Sequence, residues 1–348
     1  MAEERVLEDV VADFRAISVE EYAMMYHYIV VALTLMHAAG WTDLDYETLA
    51  VESGVGLSFG YKRNHCIAMY GLQGSAPERM AHTTGFQLEW VTHEDLEQAW
   101  AWVKDTLDRG QPVGADYWEW NIITGYREGD RPEDRQWFVL ANEPICDWNG
   151  AWLTWEQITK LNEDCPWSKH RCRHAGRTAK WTPEETAKHV MEWIVTWSER
   201  HPAAGKDAYQ GSLFGFEAIA AYAADVGDLR KTVEADFTFG NNACHAITPQ
   251  WGTRRYIGAY LADKAALLKG AARERMQEAA AHYHDAHAAW IVFDEQLGQR
   301  FVHKYGGKQQ GGWADPARRG KGSAAIYAAL EHEKAAVASL REALSALR

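Results

Sequence analysis

The chain has 348 residues, 47% of them hydrophobic and 24% charged, which supports a sizeable core and excludes a disordered protein. A net charge of −13 repels phosphate backbones and anionic lipid, so neither nucleic acid nor membrane is an expected partner. The 17 Trp and 15 Tyr call for an aromatic interior or an aromatic-lined pocket, and the five Cys (Cys66, Cys146, Cys165, Cys172, Cys244) have no paired spacing, which fits reduced thiols better than a disulfide framework.

Residues 6–16 and 19–39 carry helical patterning, with Ser18 placed to cap the second through the step SVEE. Inside that second helix, YHYIVVALTLMHAAGW (26–41) sets three hydrogen-bonding rings, Tyr26, His27 and Tyr28, ahead of an apolar run closed by Gly40. DLDYETLAVESG reads as a short helix ending at Gly54, and GVGLSFGY as a tight turn into a strand. THEDLEQAWAWVKDTLDRG is a capped amphipathic helix stopped by Gly110. QPVGADYWEWNIITGY and RQWFVLANEP are each read as one strand, and the polar REGDRPED between them closes a hairpin. TWEQITKL gives a short helix, while residues 164–180, DCPWSKHRCRHAGRTAK, are basic and irregular. From Thr182 the pattern is helical over 182–199, 209–227, 249–297 with a break near Gly270, and 322–347; the Gly-rich KYGGKQQGGWADPARRGKG is expected as a mobile loop. The expected organisation is an α+β domain over 1–180 and an all-helical domain over 181–348. The acidic start MAEERVLEDV is unlike a signal peptide, and no apolar stretch is long enough to span a bilayer, so a cytoplasmic location is expected.

The order of parts in the first half resembles the papain-like fold of bacteriocin-processing peptidases and, more closely, the N-terminal domain of the butirosin biosynthesis acyltransferase family. Three stretches carry this: HYIVVAL, SGVGLSFGY (53–61), and EWNIITGY (119–126) followed by FVLANEP (138–144). The resemblance implies a papain-like N-terminal domain with acyl-transfer or amide-hydrolysis chemistry. That family opens its helix with a His-Cys pair, where this chain has His27-Tyr28. The strand His becomes Glu119 and the orienting acid becomes Glu143, so Tyr28, His27, Glu119 and Glu143 are the inherited catalytic positions. A thiolate at a helix N-terminus with a facing imidazole is what the mechanism needs. A phenol of pKa near 10 beside a carboxylate is a poor substitute.

Two functions from different classes follow. One is an acyltransferase or amidohydrolase that works without Cys at the usual position. The other, favoured by the missing thiol, is a catalytically silent relative that binds a small molecule. Its ligand-binding set is Tyr26, Trp118, Trp120, Asn142 and Arg254, and ring faces with Glu119 among them should prefer an amine. The plain alternatives are that the rings are packed core with satisfied tips, and that Arg254 and Arg255 form ion pairs with this acidic protein. His27 with Glu119 and Glu143 is acceptable chemistry for a divalent metal, which leaves a metal open; no cofactor is expected. CPWSKHRCRH lacks zinc-site spacing, Cys244-His245 reads as structural, and His284 and His287 in HYHDAH read as a solvated helix stripe. A homo-oligomer is compatible with the sequence.

Overall fold

Helix α1 (His27–Ala38) is apolar nearly all round: Tyr28, Ile29, Val30, Val31, Ala32, Leu35 and Met36 are buried, which makes it a central rather than a surface helix. Its C-terminus is closed by Gly40 at φ +91°, a conformation only glycine adopts without strain. The computed structural model describes residues 3–11, 26–62, 76–117, 119–141, 149–164, 169–202, 204, 206, 210–231, 247–297, 313 and 315–348, with backbone alone at 117, 119, 164, 248 and 249. The chain divides into two compact units.

The first unit comprises Met1–Ser18, Tyr26–Leu49 and Met80–Ala179. Its centre is an antiparallel sheet built from β1 (Glu3–Val6), β3 (Phe86–Thr92), β4 (Val113–Tyr117), β5 (Glu119–Glu128), β6 (Gln136–Leu140), β7 (Ala151–Thr154) and β8 (His170–Arg177). The strand order is β3-β8-β4-β5-β6-β7, with β1 paired to the far end of β5. Helices α4 (Leu96–Asp108) and α5 (Trp155–Asp164) belong to this unit. Asp95 caps α4 by accepting from the Glu97 amide. Trp100, Val103 and Leu107 of α4 pack with Val113, Ala115, Ile123, Tyr126, Trp137 and Val139 of the sheet.

Cross-strand pairing fixes the opposite face. The row Trp90–Cys172–Gly114–Ile122 runs across β3, β8, β4 and β5, and its residues share one side of the sheet. Gly114 marks where α1 sits down: a Cβ there would lie 2.6 Å from both Val31 and Cys172, so only glycine allows this approach.

The second unit comprises Val19–Met25, Ala50–Arg79 and Lys180–Arg348. It is helical apart from a two-stranded ribbon, β2 (Gly60–Tyr61) with β9 (Leu213–Phe214). Helices α6 (Pro183–Glu199), α7 (Gly215–Gly227), α8 (Thr248–Lys264), α9 (Gly270–Leu297) and α10 (Pro316–Ala346) follow. Helix α2 (Tyr46–Glu52) and α3 (Ala76–Thr84) straddle the division between the units. The core gathers Phe59, Tyr61, Tyr222, Trp251, Trp290, Phe293 and Ile326, all within a few per cent of full burial. The architecture is therefore α+β with a helical C-terminal half.

Three local expectations change. QPVGADYWEWNIITGY is two paired strands, β4 and β5, with Val113 opposite Ile123 and Asp116 opposite Trp120; a single strand of that length would far exceed the usual five or six residues. The basic stretch 164–180 supplies β8, an internal strand, because its charges find partners: Arg173 bonds Glu89 at 2.6 Å and Asp105 at 3.2 Å, and it lies 4.5 Å from the Trp102 ring. The last helix starts at Pro316 rather than 322, since Asp315 accepts from the Ala317 and Arg318 amides and Pro316 fits the first helical position. At the N-terminus, Val6 ends β1 and residues 7–11 are not helical, while the rest of the expected 6–16 helix and residues 19–25 lie outside the described residues.

Candidate functional site

The start of α1 carries Tyr26, His27 and Tyr28, the first of the positions expected from the sequence. Tyr26 is the N-cap residue with extended backbone and no side-chain cap, and its own amide donates to the Tyr46 hydroxyl at 2.6 Å. Ile29 and Val30 amides donate back to the Tyr26 carbonyl. Tyr26 and Tyr28 are buried, and His27 between them is half-buried.

Tyr28 belongs to a cluster of three rings. Its centroid lies 5.5 Å from Trp90 on β3 and 5.5 Å from Trp120 on β5, and the two indoles are 5.0 Å apart in an edge-to-face arrangement. Trp120 is fully buried, but Trp90 is 37% exposed, so the cluster opens to solvent through that one ring. Asp116 pairs with Trp120 across β4 and β5 and is buried on the same sheet face. Its charge, together with burial, pushes the Cys172 thiol far above its ordinary range, burial being the larger effect. A fully buried thiol held protonated is inert as a nucleophile. On the opposite face, Asn121 and Arg171 are each registered with Ala115; Arg171 donates to the Lys169 carbonyl and lies 5.5 Å from the Trp137 ring.

Of the positions inferred from sequence, Tyr26, His27, Tyr28 and Trp120 are gathered at or near the head of α1, with Tyr28 and Trp120 in ring contact. Glu119 begins β5, and its side chain lies outside the described residues, as do Trp118, Asn142 and Glu143. Arg254 lies in the helical unit, buried, with two bonds to Glu333 at 2.8 and 3.0 Å and one to the Gln250 carbonyl at 2.5 Å. This is the ion-pair arrangement rather than an open anion site. Trp90 and Asp116 are not among the positions that the sequence pattern singles out. The signal available was the alternation in VGADY once β4 is separated from β5, which puts Asp116 and Gly114 on one face.

The helical unit holds a second pair with nucleophile–base spacing. Ser58, just before β2, lies with Oγ 3.0 Å from His201 Nε2, and both are buried. Burial, then the charges of Arg79 and Lys206, push the His201 imidazole down to about 4. A base that weak takes little of a hydroxyl proton near neutrality.

Residues 29–118 match the family described as butirosin biosynthesis protein H, N-terminal, which shows the resemblance over that stretch. Tyr28 lies just before the matched residues and Glu119 just after them. No curated protein matches the chain. Among the described residues no helix is long and apolar enough to cross a membrane.

Proposed function

We propose that this chain binds an amine-bearing small molecule at the aromatic cluster beside the head of α1, as an altered relative of the butirosin biosynthesis acyltransferases that lacks their cysteine mechanism. The observation that carries this reading is the Tyr28–Trp90–Trp120 cluster, open through Trp90 and backed by the Asp116 carboxylate on the same face. Ring faces attract a cation with roughly 0.5–2 kcal/mol per contact, rising with desolvation, and a neighbouring carboxylate adds to the attraction. The acidic net charge favours encounter with cations.

Thermal-shift screening tests it. Amines and aminoglycoside-like cations stabilise the wild type, and Trp90→Ala and Asp116→Asn each lose part of that response. Stabilisation by anions instead, or a wild-type response from both variants, overturns the proposal.

A second reading, acyl transfer through a serine, has the Ser58–His201 spacing in its favour. The depressed imidazole weighs against it. Acyl-ester hydrolysis abolished by Ser58→Ala with the fold intact would establish it.

A further inference from the structure

We propose that His282, Asp285 and His332 form a zinc-class divalent metal site that ties α9 to α10. His282 and Asp285 are three apart on α9 and so share a face of the helix. His332 comes from α10, which runs antiparallel to α9: Arg275 pairs with Glu342 at 2.8 Å on one side of this point, and Arg318 donates to the Glu295 carbonyl at 2.9 Å on the other. One ligand atom from each of the three residues lies within 4.8 Å of the other two.

Two details distinguish this group from a chance surface cluster. His282 Nδ1 is buried and makes no hydrogen bond, although an orphaned buried imidazole nitrogen costs about 1–3 kcal/mol. His332 Nδ1 stands 3.8 Å from Asp285 Oδ2, too far for a hydrogen bond. Two atoms that share a zinc ion at ~2.1 Å in a tetrahedron lie about 3.4 Å apart, so small side-chain rotations bring this pair to ligand spacing. The set is two imidazoles and a carboxylate, which suits Zn²⁺ and its borderline neighbours rather than Mg²⁺ or Ca²⁺. Three protein ligands leave a fourth position for water. The electrostatics agree: Glu278, one turn before His282 on α9, interacts with it, and the nearby Arg275 is engaged by Glu278 and Glu342. Asp285 is exposed and His332 is partly exposed, so the ion has access.

Titration calorimetry with Zn²⁺ alone on the full chain tests the site. The expected result is saturable binding of one ion, weakened at least about tenfold by His282→Ala and by His332→Ala. His284→Ala, an exposed neighbour on α9, keeps wild-type affinity. Should His332→Ala fail to fold, His332→Gln gives the same reading with the volume retained. Absence of saturable binding, binding unaffected by both the His282 and His332 changes, or an equal loss in His284→Ala each overturns the site.

Discussion

The two aromatic clusters of this chain are made of the same residue types and behave differently. In the helical unit, Trp290 stacks on Phe59 at 5.7 Å and Trp251 at 6.3 Å and meets Phe293 edge-on at 5.6 Å, with every ring buried. At the head of α1, the Tyr28–Trp90–Trp120 rings are as close to one another, but one is open to solvent and a buried carboxylate lies on their sheet face. Ring density alone therefore does not mark a site. An opening and a charge beside it do, because they turn burial energy into recognition.

If the helical cluster is core, Trp290→Ala leaves a cavity among packed rings and costs about 3–5 kcal/mol of stability, measured by urea unfolding. The Arg254–Glu333 pair probes the same closed interior with charge. Glu333→Gln leaves a buried guanidinium uncompensated and costs roughly 3–5 kcal/mol, while the double change Arg254→Met with Glu333→Leu recovers most of the loss. Full loss in the double variant would mean that the helices are held by charge rather than by packing.

The sequence made the closed parts easier to read than the open one. The α1 apolar run with its Gly40 stop, the 96–108 helix stopped by Gly110, and the turn at Gly54 leading into β2 are all visible, because glycine at positive φ and helical periodicity are local signals. Gly54 is fixed further by its surroundings: a Cβ there would lie 2.7 Å from Arg79 Nε and the Trp197 ring. β8 was illegible because HRCRHAGR lacks apolar alternation; its arginines are made tolerable by Glu89, Asp105 and Trp102, all distant in sequence. Trp90 was missed with its strand β3, and Asp116 was hidden inside a stretch read as one long strand. Helical spacing in HYHDAH pairs His284 with His287, yet His282 and Asp285 are the residues that gather with His332, while His287 lies 5.9 Å from Trp251. Helical spacing defines a face but not which partner helix meets it.

A smaller effect follows from His201. Its folded pKa of about 4 lies below the unfolded value near 6.5, so the unfolded chain takes up the proton first as pH falls. The stabilisation is fully present above pH 6.5, declines as acid is added, and is spent near pH 4, a loss of about 3 kcal/mol. His201→Gln flattens that part of the stability–pH curve relative to wild type. An unchanged slope would mean that His201 is hydrated and no part of the closed interior.

The smallest stability change is expected at the open ring, and it separates the two clusters most cleanly. Trp90 contributes two ring contacts, to Tyr28 at 5.5 Å and Trp120 at 5.0 Å, each worth about 0.5–1.5 kcal/mol beyond area burial. Part of its surface is wet in the folded state, so Trp90→Ala gives up less transfer energy than a core tryptophan does. Its expected cost is about 2–3 kcal/mol, against about 3–5 kcal/mol for Trp120→Ala one strand row away. A ring kept about one-third exposed at a smaller stability gain than its buried neighbour is what a binding surface requires: truncation weakens amine binding more than it weakens the fold. If Trp90→Ala destabilises as much as Trp120→Ala and leaves amine binding intact, the cluster is a core edge like that of the helical unit, and the contrast between them disappears.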